Sequence, residues 1–378
     1  MTIPPPDTNH PAGPVEAGAP ADLLAAESQA EELKMRDVEG LSQGQIVRRR
    51  FFRHRGAVVA MIVLGAVILL AFTSVGFGNW TGWWKHTPLQ TGNVTGTGAQ
   101  PTLSLPTWLG GDGFVWGDHP FGRDESGRDV FARVMKGTQT SLIVMFIVGI
   151  VSTVIGVIVG ALAGYFGGRL DRFLMRVTDL VITIPVLVLG AVLGALAAGK
   201  NSAFLLAIFL GLASWTTLAR LVRGDFLTLR EREFVDAARV AGASSRRIIF
   251  KHMLPNSIGV IIVNQTLLMS TAILLETALS FVGLGITYPN ISLGQLINQY
   301  QEAFATRPWL FWWPGLFIVV IALCVNFIGD GLRDAFDPRQ RRIPSQRALR
   351  RAERKAAARA ESAAAADSTV GASGKETT

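Results

Sequence analysis

Apolar residues in this chain collect in six long runs, at 57–75, 140–163, 177–198, 203–219, 258–284 and 309–329. A hydrocarbon layer about 30 Å thick takes about 20 helical residues to cross, so each run reads as a transmembrane helix. Pro185 and the "WPG" at 313–315 interrupt two of them. Membrane helices tolerate such residues where neighbours resatisfy the backbone. The expected fold is all-α and integral to a membrane, with six crossings and both termini on one side.

Flanking charge sets the expected orientation, because Lys and Arg concentrate on the cytoplasmic side of short loops. "RRRFFRHR" at 48–55 puts five arginines before the first run. Arg169, Arg172 and Arg176 lie between the second and third, and residues 220–251 hold eight basic against four acidic side chains. A six-span count places all three regions on the same side. The other side is poorer: 79–137 balances five basic with five acidic residues, and 287–308 has one of each. Both termini are therefore expected in the cytoplasm. Trp80, Trp83 and Trp84, just beyond the first run, have the position of an interfacial aromatic belt.

The remaining composition fills in the ends. The chain has 378 residues, 49% of them hydrophobic, and a net charge of +8; its placement at span ends favours loop bias over nucleic-acid binding. Residues 1–47 carry eight acidic and two basic side chains with clustered Pro. They read as a largely disordered cytoplasmic tail, with room for one short helix over 23–35. The first span with its basic flank occupies 48–78, an extracytoplasmic loop 79–139, and a five-helix core 140–338, which includes a cytoplasmic loop at 220–256. A basic, low-complexity tail at 339–378 suits a solvated helix or contact with anionic lipid. Cys324, the single cysteine, reads as a small buried hydrophobe.

The stretch "EFVDAARVAGASSRRIIFKHMLPN", 233–256, breaks the hydrocarbon pattern. Phe234, Ala237, Ala238 and Ala241 recur at i, i+3, i+4 and i+7, which predicts a short amphipathic helix. Gly242 can end it in a left-handed conformation, Ser244 can cap a second helix, and Pro255 is expected to stop that one. The alanine face gives little grip on lipid but permits close approach by a partner protein.

This stretch resembles the EAA loop of ABC importer permeases, through Asp236, Ala237, Ala238, Gly242, Leu254 and Pro255; Asp236 stands where Glu is usual. "HPFGRDESGRDVFARVMKGTQTSL" at 119–142, "GYFGGRLDRFLMR" at 164–176, "ETALSFVGLGITYP" at 276–289 and "NFIGDGLRDAFDPR" at 326–339 are similar to the C-type permease subunit of dipeptide and oligopeptide importers. Arg123, Ser126 and Leu293 depart from that pattern, which bears on details of the external surface. The resemblance covers roughly 48–339. It implies the six-helix permease fold of type I ABC importers, paired with a second homologous permease and fed by an extracytoplasmic peptide-binding protein. Glu233, Phe234, Asp236, Ala237, Ala238, Arg239, Gly242, Leu254 and Pro255 would couple to a cytoplasmic ABC ATPase. ATP and Mg would be bound by that partner, with no cofactor or catalytic residue in this chain. "GASGKETT" at 371–378 lacks the spacing of a phosphate-binding loop.

Polar groups within the runs are candidates for a path or gate. Glu276 is the nineteenth residue counted from Ile258, roughly 27 Å up the fifth span. It suits an external gate, a contact with the partner permease, or a carboxylate reaching interfacial water. Asn264 and Gln265 suit inter-helix hydrogen bonds or pathway lining, and Thr183 beside Pro185 could shape a cavity. Around 122–129, Arg123, Asp124, Arg128 and Asp129 predict internal ion pairing in a turn of the external loop. Asp330, Arg333, Asp334 and Asp337 read as a paired segment at the inner end of the last span. A membrane enzyme would need convergent catalytic groups, whereas His10, His54, His86, His119 and His252 are scattered. An ion-coupled secondary transporter would place ionisable residues near the midplane; it and a permease for another small solute are the alternatives to peptide import.

Overall fold

Helix starts and stops in this chain are set by side chains that reach backbone groups left without partners. The computed structural model describes residues 43–92, 99–104, 107, 113–196, 199 and 202–336. The expected 23–35 helix, Asp337 and the 339–378 tail lie outside them. Helix α1 (Gln43–Arg53) leads into α2 (Arg55–Ser74), where the His54 Nδ1 caps the helix by accepting the Ala57 N–H at 3.1 Å. The other end of α2 is closed from outside itself: Gln139 Nε2 donates to the carbonyls of Ala71 and Gly76 at 2.8 and 2.7 Å.

Asp129 caps α3 (Val130–Phe166) by accepting the Ala132 N–H at 2.8 Å. The helix therefore begins at Val130, ahead of the apolar run at 140. Its first turns carry Arg133, Lys136 and Gln139, which hide the helix from a hydropathy reading. Gly167, at φ +64°, ends it in a conformation open to glycine.

The third run does not form one straight span. α4 (Gly168–Thr183) and α5 (Val186–Leu196) meet at a 79° bend. Ile184 is extended, at φ −88° and ψ 120°, because the ring of Pro185 disfavours helical geometry in the residue before it. Arg223, from a helix further along the chain, grips Asp171 of α4 in a two-pronged pair, with Nη2 to Oδ2 at 2.7 Å.

Beyond the bend, α6 (Ser202–Ser214) and α7 (Thr216–Arg230) join into one long span. A short helix, α8 (Glu233–Val240), comes next, then α9 (Ser245–Phe281), α10 (Leu293–Tyr300) and α11 (Trp309–Phe336). The fold is all-α, as expected. Among the described residues, five spans are long and apolar enough to cross a membrane (α2, α3, α6–α7, α9 and α11), and the bent α4–α5 pair makes a sixth when taken as one. Among the described residues, extended pairing is limited to isolated bridges such as Arg123–Asp129. Ile150, Val154 and Ile158 of α3 are each more than half exposed, as a lipid-facing stripe should be.

Glycines on the opposite side of α3 set its contact with α7. Gly156, Gly160 and Gly164 recur every four residues, so they stack along one face. A Cβ on Gly160 would come within 2.5 Å of the Ala219 carbonyl oxygen, and one on Gly164 within 2.6 Å of the Phe226 Cβ. Helices in lipid associate by such close packing, since no hydrophobic drive separates lipid from Leu. Gly160→Leu is expected to lower the stability of the purified protein by about 1–3 kcal/mol or more, read as a drop in thermal midpoint. Gly65→Leu, where an added side chain meets nothing within 4 Å, should leave the midpoint unchanged.

Candidate functional site

Residues 233–244 form the predicted helix and turn. Glu233 and Asp236 sit in the first turn of α8, and Arg239 in its last, matching the helix dipole. Asp236 accepts from Arg239 Nη1 at 2.8 Å on the exposed surface. The Gly242 N–H donates to the Arg239 carbonyl at 2.9 Å and the Ala243 N–H to the Ala238 carbonyl at 3.0 Å. With Gly242 at φ +75°, this double bond pattern is a Schellman stop. Ser244 Oγ accepts the Arg247 N–H at 3.4 Å and caps the start of α9.

The faces of α8 differ from the expected division. Val235, absent from the sequence reading, is fully buried among Val222, Phe226, Ile248, Ile249 and Met253, and Ala238 packs at the edge of that cluster. Phe234, Ala237 and Ala241 are exposed, and Val240 is 90% exposed. Leu254 is half-buried against the same cluster and Pro255 is exposed. So α8 is bolted down along one edge while an apolar face stands clear.

Pro255 does not end the second helix. The chain widens into a π-helical stretch, Ile248–Met253, then continues through Pro255 as the rest of α9. Proline here falls in the opening turn of the renewed α-helix, where its missing N–H removes no essential bond. The second helix of the loop and the span, Ser245–Phe281, are therefore one continuous rod.

The 122–129 turn pairs internally, as its alternating charges predict. Asp124 is 1% exposed; its carboxylate accepts from Arg128 Nε at 2.7 Å, Arg133 Nη1 at 3.0 Å and the Tyr300 hydroxyl at 3.1 Å, besides the N–H groups of Ser126 and Arg128. Burial pushes the Tyr300 phenol well above its ordinary value, so it stays a neutral donor. Arg133 Nη2 reaches Gln299 Oε1 at 2.8 Å, which ties the loop to α3 and α10. Asp129 also accepts from Trp84 Nε1 at 2.9 Å and contacts His119 Nδ1 at 2.8 Å. Trp84 thus turns inward to serve that carboxylate, while Trp80 and Trp83 stay exposed. Arg123 joins this turn through its backbone, donating to the Ala99 carbonyl at 2.9 Å.

Glu276 does not reach interfacial water, since it is fully buried. Ser280 Oγ donates to its Oε1 at 2.8 Å and Ser141 Oγ to its Oε2 at 2.9 Å. Each serine in turn accepts a backbone N–H: Ser280 from Ile286 at 3.0 Å, Ser141 from Leu293 at 3.3 Å. Two hydroxyls therefore relay the carboxylate's pull onto the loop between α9 and α10. Leu293 itself is buried, so that departure from the family pattern belongs to the core and not the external surface.

The remaining path candidates stand apart. Asn264 Nδ2 donates to the Val260 carbonyl in its own helix at 2.8 Å, not across helices, and Gln265 is half-buried. Thr183 is exposed at the α4–α5 bend, bonded to the Leu180 carbonyl at 2.6 Å. At the foot of α11, Asp334 lies 3.6 Å from His54 Nε2, and Asp330 and Arg333 are exposed.

Residues 156–342 match the family described as binding-protein-dependent transport system inner membrane component. Residues 42–87 match the N-terminal TM domain of oligopeptide transport permease C. The chain is 39% identical over 315 residues to the oligopeptide transport system permease protein OppC of Salmonella typhimurium, across 81% of this chain and 94% of that one. It is 38% identical to the OppC protein of Mycobacterium bovis, across 84% and 99%. The chain belongs to the C-type permeases of the oligopeptide ABC importer family. A structure of the inward-facing MetNI methionine ABC transporter aligns with 54% of the permease at TM-score 0.44 and 21% identity.

Sequence reasoning missed several residues that organise this permease: Val235, Arg133, Tyr300, Ser141 and Ser292, whose hydroxyl also reaches Glu276. A signal existed for Arg133, a cation in the first turn of a largely apolar helix, although its partner is Asp124 and not the Asp129 at helical spacing from it. None existed for Tyr300 or Ser141, which meet their partners only through the fold.

Burial makes two of these carboxylates sensitive to neutralisation. Asp124→Asn strands the Arg133 guanidinium and should destabilise the permease by about 3–5 kcal/mol in thermal or denaturant unfolding, whereas Asp236→Asn, at an exposed pair, should change it by less than about 1 kcal/mol. In Glu276→Gln the amide nitrogen can no longer accept, so one relay is lost at about 1–3 kcal/mol. Hydrogen exchange should then accelerate at the Ile286 and Leu293 amides; unchanged protection there would refute the relay.

Proposed function

We propose that this permease forms half of the translocation path of an ATP-driven importer of short peptides, with a second homologous permease as the other half. Exposed α8 is its coupling element: a cleft in a cytoplasmic ABC ATPase takes the Phe234, Ala237, Val240 and Ala241 face, with Glu233, Asp236 and Arg239 at its rim. The partner ATPase binds ATP and Mg; this chain supplies the lever and the path. Both termini are cytoplasmic in this reading, and an extracytoplasmic peptide-binding protein delivers substrate near the 122–129 turn.

The carrying observation is the two-faced mounting of α8. Val235 and Ala238 anchor it in the cluster around Phe226 and Met253, so displacement of the exposed face moves α7 and α9 with it. From Ser245 on, the π-helical join makes that transmission continuous, because no break separates the second helix of the loop from the span. ATP-driven approach of two such levers would swing the spans from inward-open to outward-open, and hydrolysis would let them return. Buried Glu276 holds the outer loop of α9 in register during that swing.

The test uses the complex purified with its native partners and reconstituted with the binding protein. Ala237→Glu puts a charge on the free face and should abolish peptide-stimulated ATP hydrolysis or release the ATPase, while the permease inserts normally. Gly242→Val forces a β-branched residue to φ +75°, at about 1–2 kcal/mol, and should loosen coupling. Ala238→Glu should instead unfold the anchor and lower permease yield. Normal peptide uptake and normal complex yield in both Ala237→Glu and Gly242→Val would remove the coupling assignment.

A further inference from the structure

Helix α1 is a basic element with a built orientation. Residues 43–55 contain Arg48, Arg49, Arg50, Arg53 and Arg55 and no acidic residue. Phe51 is buried against Ala57 and Ala335, with Val47 and Leu332 packed beside it. Val47 and Phe51, four residues apart, therefore define the inward stripe. Gln45, Arg48, Arg49 and Phe52 fall at i, i+3, i+4 and i+7 and line one concavity of about 350 Å³.

Three features of that concavity select its occupant. Two guanidiniums offer planar forks that match phosphate oxygens in pairs. Phe52, 56% exposed beside them, needs hydrocarbon at the same spot. The site also directly precedes α2, so it stands at the level where a span leaves the acyl layer. His54, which could add a further donor, is already committed to capping α2 and to Asp334.

We propose that the Gln45–Arg48–Arg49–Phe52 face of α1 binds the headgroup of an anionic phospholipid, with Phe52 against its acyl chains. The experiment places the whole complex in nanodiscs of phosphatidylcholine with added phosphatidylglycerol and measures, by native mass spectrometry, which lipids it retains. Removing one arginine near a charged surface should weaken retention about fivefold. Arg48→Gln with Arg49→Gln should thus lose about twenty-five-fold in preference for phosphatidylglycerol, and Phe52→Ala should weaken retention of both lipids. Arg169→Gln with Arg172→Gln makes the same change in net charge elsewhere and should leave the preference intact. Equal loss in that control, or undiminished preference in the α1 double variant, overturns the proposal. So does inorganic phosphate, if it stabilises the complex in phosphatidylcholine discs alone and the α1 double variant abolishes the effect, because the ligand is then a free anion.

Discussion

Lipid offers no hydrogen bonds, so each polar group that this helical bundle buries depends on the protein for a partner. That constraint accounts for Glu276 and Gln139 on the spans, and burial imposes the same need on Asp124 in its turn. Asp124 is held by two arginines and a tyrosine, Glu276 by serine hydroxyls, and Gln139 closes the carbonyl end of α2. Through Tyr300, Ser141 and Gln139 these contacts join elements far apart in sequence. The polar groups therefore act as registration points between helices whose apolar surfaces are otherwise interchangeable with lipid.

The same constraint explains the division between ends and middle. Between the polar points, contact relies on shape: the glycine ridge of α3 lets α7 approach to backbone distance, and Ser152 Oγ adds a bond to the Gly211 carbonyl at 2.8 Å. Outside the apolar layer, charge no longer has to be buried, and α8 carries Glu233, Asp236 and Arg239 on its surface. A short helix with one buried valine and an otherwise open face is poorly explained as a self-contained loop. Its exposed apolar residues suit a protein surface, and in the proposed reading its packing against α7 and α9 would pass movement of that surface to the spans.

The legible part of the sequence was its periodicity. Six apolar runs, the Gly242 stop, the Ser244 cap and the ion pairing of 122–129 were readable because each rests on neighbours in the chain. The bend at Pro185 was half-readable: proline announced an interruption, while only the structure fixed its 79° angle. Pro255 misled, because its usual role as a helix terminator gave way to a π-helical join that a sequence pattern does not encode. Val235 was overlooked since one valine between charged residues carries no periodic signal. Of the partners of Glu276, Ser280 is only one helical turn on, whereas Ser141 was invisible because it lies 135 residues away and meets the carboxylate only in the packed bundle.

The central claim is that α8 grips a separate ATPase and moves the spans with it. A cysteine at Val240, the most exposed apolar position on that helix, tests it directly in the intact complex: Val240→Cys should crosslink to the ATPase subunit, with a yield that changes when nucleotide is bound. Labelling of that cysteine from the exterior of sealed cells, or crosslinking that never reaches the ATPase, would contradict the account.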